Sequence, residues 1–199
     1  MIAQVGVSTA ALFGTLLALL AGAASLAPER EAGLRDLLLA RPLSAGEYVV
    51  GKWLGISAVV VFSVALLGGI HLTGVAFRGG VESGYGPLVG ALATAAAQGC
   101  LAAAIAIGFS SFLRAGPALV AALSFLLLGH LVVLLPTGAA ADTARFLLPR
   151  TPELNLAGEA AFGPFGPALW VLALLHALLY SAFLLAVATP LAARSRSRR

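Results

Sequence analysis

Five stretches of this chain, at about residues 5–27, 53–77, 87–112, 117–135 and 168–188, contain no Asp, Glu, Lys or Arg. Each is near or above the roughly 20 apolar residues that carry a helix across a bilayer. No soluble core can absorb five such segments in 199 residues, because most residues of a small domain touch water. The composition agrees. The chain is 60% hydrophobic and 10% charged, with a mean hydropathy of +1.02. Soluble domains carry about 25% charged residues. The expected fold is therefore all-α: a single polytopic membrane domain spanning residues 1–199, with five transmembrane helices.

The net charge is +4 and the pI is near 10.0, but the excess is local. Arg194, Arg196, Arg198 and Arg199 supply it in a C-terminal tail. No basic face tracks a phosphate backbone, so nucleic acid is not an expected partner. A basic tail beside a span is attracted to anionic lipid. With five crossings, Arg30, Arg35, Arg41, Lys52, Arg114 and the four tail arginines share one side, and Arg78, Arg145 and Arg150 the other. Positive charge marks the cytoplasmic side, so the N-terminus is expected outside and the tail in the cytoplasm of an inner (plasma) membrane protein.

Residues 1–27 end in AGAASLA, which resembles a signal-peptide cleavage region, yet MIAQVGVS before it lacks the basic residues of such a leader. The single cysteine, Cys100, lies inside an apolar segment and reads as a packing residue. The outer loop 136–167 is rich in proline, and Thr151 before Pro152 predicts a short external helix.

The loop at 28–52 is the informative one. Pro28 suits the first turn of a helix, and Glu29, Glu31 and Asp36 then fall toward its N-terminal half, where negative charge favours the dipole. Leu34, Leu37 and Leu38 recur on one face, so the segment reads as an amphipathic helix along the inner membrane surface. Pro42 ends it after Arg41. Ser44 and Glu47 form a capping-box pattern that starts a new helix, and Lys52 and Trp53 mark its entry into the bilayer. A hairpin-like step is expected between the first two spans.

Glu29, Arg30, Glu31, Gly33, Leu37, Leu38, Leu39, Arg41, Pro42, Ser44, Gly51 and Lys52 together resemble the cytoplasmic coupling segment of type-2 ABC exporter permeases, in the subgroup of multicopper-enzyme maturation permeases. The run into Ser110-Ser111-Phe112-Leu113-Arg114 and the outer Leu147-Leu148-Pro149 with Leu154-Asn155-Leu156 are weaker matches. The resemblance implies a helix that docks on a separate ABC ATPase, present in two copies, with a second permease subunit completing the exporter. It implies ATPase-coupling contacts among Glu29, Arg30, Glu31, Gly33, Leu34, Asp36 and Leu37, Glu29 and Glu31 foremost. It implies a coupling turn and span entry at Arg41, Pro42, Ser44, Glu47 and Lys52. The alternative is an interfacial helix that only anchors the loop. The family's first helix has no counterpart here, which leaves homodimer and heterodimer both open.

Other patterns carry less. Gly46 to Lys52 matches most of a P-loop, but Trp53 stands where Ser or Thr would hold magnesium, so hydrolysis belongs to another polypeptide and the chain is not expected to be an enzyme. His71, His130 and His176 fall in the outer halves of their spans, where imidazoles can ligate haem or copper or bond between helices. No cofactor or metal is expected, and a His-ligated haem or copper protein stands as the alternative, beside an accessory subunit without a transport path. The small residues Ala91, Ala95, Gly99 and Ala103 permit close helix approach, with Gln98 beside them. The spans hold no carboxylate for a proton- or sodium-driven carrier, and Ser110 and Ser111 lie at the opposite end from the histidines, which denies a serine–histidine hydrolase its geometry. The transported substrate has no charged recognition group in the spans.

Overall fold

The computed structural model describes residues 2–32, 44–79, 84–134, 138, 143, 148–149 and 167–194. Among these residues the elements are helical: α1 (Ile2–Glu31), α2 (Ala45–Phe77), α3 (Gly86–Ser110), α4 (Ala115–Leu131) running into a 3-10 turn (Val132–Leu134), and α5 (Pro167–Arg194). Four of them, α1, α2, α3 and α5, are long and apolar enough to cross a membrane. The fifth expected span is shorter than the sequence suggests: α4 has 17 residues and tightens at Val132. At 1.5 Å per residue it reaches about 26 Å, and its 3-10 turn adds about 6 Å.

α3 is the axis of the bundle, packed against each of the other four helices. Its sequence explains this. Residues 101–107 are buried all round, and the four expected small positions, Ala91, Ala95, Gly99 and Ala103, lie in the core. Small side chains let neighbours close in: a Cβ on Gly22 of α1 would stand 2.7 Å from Ala106 Cβ, and one on Gly90 would strike the Trp170 ring of α5 at 2.4 Å. Such proximity maximises dispersion contact where lipid offers no hydrophobic drive for association. α1 and α2 run antiparallel, with Gly6 against His71 and Gly14 against Val64. α1 and α3 run parallel, with Gly14 near Gly99 and Gly22 near Ala106.

The outer surface is the reverse of a soluble protein's. Phe62, Leu66 and Ile70 of α2 and Val171, Leu179 and Phe183 of α5 are exposed. Hydrocarbon is the solvent in which that arrangement is stable. The predicted amphipathic helix with Gly33, Leu34, Asp36, Leu37, Leu38 and Leu39, its break at Arg41 and Pro42, and the short helix at Pro152 lie outside the described residues.

Candidate functional site

The start of α2 follows its local chemistry. Ser44 is the N-cap, with extended backbone, and its hydroxyl accepts from the Glu47 amide at 3.2 Å. Glu47 Oε2 in return accepts from the Ser44 amide at 2.7 Å, which completes the capping box and satisfies two amides the helix cannot.

Pro28 does not start a helix. It sits inside α1, which continues to Glu31, and the Ala32 amide still donates to the Pro28 carbonyl at 2.9 Å. Glu29 and Glu31 therefore lie in the last turn of a helix, where the dipole opposes negative charge, and not in a first turn that favours it. A proline ring crowds the carbonyl four residues back and loosens the turn it enters. The adjoining turn is bonded to α3: Ser110 Oγ accepts from the amides of Leu26 at 3.1 Å and Ala27 at 3.2 Å, while Ser25 Oγ donates to the Gly22 carbonyl of its own helix at 2.6 Å.

Three consecutive side chains then diverge, about 100° apart around the helix as its 3.6-residue repeat requires. Glu29 points to α2, where its carboxylate accepts from the Tyr48 hydroxyl and pairs with the Lys52 amine. The ammonium also lies 5.8 Å from the centroid of the Tyr48 ring. Glu29 is thus not the free surface acid that the sequence suggests: its side chain is 26% exposed and its oxygens are engaged. Arg30 points to α3. Its Nη1 donates to the Ser111 carbonyl at 2.8 Å and the Ser110 carbonyl at 3.4 Å, and Nη2 donates to the Leu113 carbonyl at 2.8 Å. The carbonyls of Ile107, Gly108 and Phe109 are taken by following amides. The guanidinium thus collects the carbonyls the turn leaves over, at the end of α3 where positive charge suits the dipole. Glu31 is outermost and faces Arg114, the N-cap of α4, at 3.7 Å, with both side chains more than half exposed.

These contacts bring together Glu29, Arg30, Glu31, Ser44, Glu47 and Lys52 of the predicted set at one end of the bundle. Tyr48, Ser110, Ser111 and Arg114 complete the cluster. Sequence reasoning placed Ser110, Ser111 and Arg114 in a resemblance without a role, and passed over Tyr48. The i, i+4 spacing of Tyr48 and Lys52 is the signal that one acidic partner can serve both.

The histidines are distributed over three helices. His71 on α2 packs its ring against Gly6 of α1. His130 is exposed near the end of α4, and His176 on α5 lies 5.9 Å from the Tyr180 ring. Among the described residues no three His, Cys, Asp or Glu side chains gather as a metal site. Gln98 Oε1 is buried without a partner among the described residues. A family model described as ABC-2 family transporter protein matches residues 1–161, which takes in α1 to α4 and the whole charged cluster but not α5. No curated protein matches the chain.

Proposed function

The chain belongs to the ABC-2 transporter family, and from that premise we propose that it is the membrane permease of an ATP-driven exporter, coupled to its ATPase through residues 28–52. As a member it is an integral membrane component of an ABC transporter, and the family implies partnership with an ABC ATPase. Two ATPase copies and a second permease subunit complete the machine in this reading. α4, extended by its 3-10 turn, serves as the fifth span. The end carrying Arg30, Lys52 and Arg114 faces the cytoplasm, on the balance of basic residues, and the N-terminus lies outside.

The observation that carries the coupling role is the way the segment is held. Its two flanks, Glu29 on α1 and Tyr48 and Lys52 on α2, are joined to each other. The two ends of the segment are therefore held side by side at one end of the bundle. Glu31 at the end of α1, and Gly33, Leu34, Asp36 and Leu37 beyond it, are the proposed ATPase contacts. Glu29 and Arg30 hold the segment to the spans, and Arg41 and Pro42 shape its return to Ser44. ATP binding that draws two ATPases together would displace both bases and alter the packing between permeases. The test is purification of the tagged chain from native membranes in mild detergent. An ABC ATPase is expected to co-purify, and to be lost when Glu31 and Asp36 are both reversed to Lys. Recovery of the chain without any nucleotide-binding subunit would overturn the reading.

A further inference from the structure

The contacts that leave the last two turns of α1 are unequal. Toward α3 there are five hydrogen bonds: two from the α1 backbone to Ser110 Oγ and three from Arg30 to carbonyls. Ser110 and Ser111 are buried, and the acceptors on the α3 side are the Ser110 hydroxyl oxygen and three backbone carbonyls, so little side-chain freedom is left there. The helices above are in contact at Gly22 and Ala106, so no slack exists one turn further in. Toward α2, beside the apolar packing of Leu26 with Tyr48 and Val49, the described hydrogen bonds run between side chains: Glu29 with Tyr48 and Lys52, on stems that are 26% and 32% exposed at the two charged partners. Partly solvated ion pairs exchange their partners with water at small cost. An open groove of about 300 Å³ also separates α1 from α2 beside Lys52, lined by Leu17, Ala21, Gly51 and Gly55.

From this asymmetry we infer that Arg30 is a positioning residue that makes α1 and α3 one mechanical body, and that the Glu29–Lys52–Tyr48 contact is the joint that opens when that body moves against α2. Arg30 suits the task because a planar fork reaches three carbonyls of a turn at once, while an ammonium is a single point of charge. The inference rests on the coupling role proposed above for its place in the transport cycle, although the α1–α3 connection itself can be read in the chain alone.

The experiment uses spin labels on exposed positions in a Cys100→Ala background. One pair, at Ala32 and Phe112, reports across α1 and α3. The other, at Ala32 and Val50, reports across α1 and α2. Distances are measured by pulsed electron resonance with the chain in lipid nanodiscs, first alone and then with its co-purified ATPase plus a non-hydrolysable ATP analogue. The Ala32–Phe112 distance is expected to be a single narrow distribution that the nucleotide leaves in place, while the Ala32–Val50 distribution shifts. Arg30→Ala is expected to broaden the Ala32–Phe112 distribution in the chain alone, and Arg30→Lys to recover part of it. ATP turnover per ATPase retained should fall about tenfold or more in Arg30→Ala, since charged hydrogen bonds are lost. A narrow Ala32–Phe112 distribution in Arg30→Ala would overturn the inference. So would a nucleotide shift at Ala32–Phe112 as large as that at Ala32–Val50. Failure of any ATPase to co-purify with the wild-type chain would sink the proposed function, and the label distributions of the chain alone would still decide the α1–α3 connection.

Discussion

Replacing Gly22 with valine tests the packing on which the charged end depends. The first added carbon would stand 2.7 Å from Ala106 Cβ and 3.1 Å from the Ala103 carbonyl oxygen. Carbon atoms in contact sit about 3.5–4.0 Å apart, so the shortfall is about 1 Å before the two methyl groups are counted. Neither obstacle is the end of a flexible side chain. Both belong to the backbone or to a Cβ of α3, so α1 and α3 must separate. Overpacking of this kind costs about 1–3 kcal/mol. The better helix propensity of valine over glycine returns a few tenths of a kcal/mol. A net loss of about 2 kcal/mol corresponds to roughly a thirtyfold change in the folding equilibrium. The control is Gly55→Val, where nothing lies within 4 Å of an added Cβ and the groove of about 300 Å³ receives the methyls. Equilibrium unfolding in mixed micelles should show Gly22→Val less stable by about 2 kcal/mol and Gly55→Val within about 0.5 kcal/mol of wild type. Equal stability of the two variants would refute the close α1–α3 contact.

Ser110→Ala should cost about 0.5–1.5 kcal/mol in the same assay, because the Leu26 and Ala27 amides lose their bonds to α3. Ser111→Ala should cost about 1 kcal/mol or less, since among the described residues Ser111 Oγ bonds the Gly108 carbonyl of its own helix. Glu29→Lys alone should destabilise the chain by setting two ammonium groups face to face, and the exchange Glu29→Lys with Lys52→Glu should recover most of the loss; a cycle with no recovery would contradict the pairing. In intact cells, a membrane-impermeant maleimide should label a cysteine placed at Ala140 and spare one placed at Ala45, and the opposite pattern would invert the proposed orientation.

The parts of this fold that were legible are those fixed by short-range chemistry. Charge-free runs located the long helices because a bilayer imposes length and apolarity together. Ser44 and Glu47 announced the start of α2 because a capping box is complete within four residues. Pro28 misled for a specific reason. A proline before two acids reads as a first turn, yet here it stands near the end of a helix whose neighbouring amides are bonded to Ser110, a partner 83–84 residues away in sequence. The same distance hides the role of Arg30, whose acceptors exist only once α3 has ended beside it. The length of α4 was overread because Val132, Val133 and Leu134 are as apolar as the helix before them, and nothing in their composition signals a tighter turn. The resemblance in residues 28–52 found the family, and the family match extends it over residues 1–161. What each residue of the motif touches came only from the packing.

The most direct test of the coupling claim is site-specific photo-crosslinking from the segment itself. A photoreactive amino acid is introduced at Leu34, and separately at Gly79 at the far end of α2, in cells that carry the whole transporter. Irradiation is expected to attach an ABC ATPase to the chain from Leu34, in an amount that changes when ATP is depleted, and to attach none from Gly79. An ATPase adduct at Gly79, or no ATPase adduct at Leu34 in membranes where the chain is intact, would contradict the account.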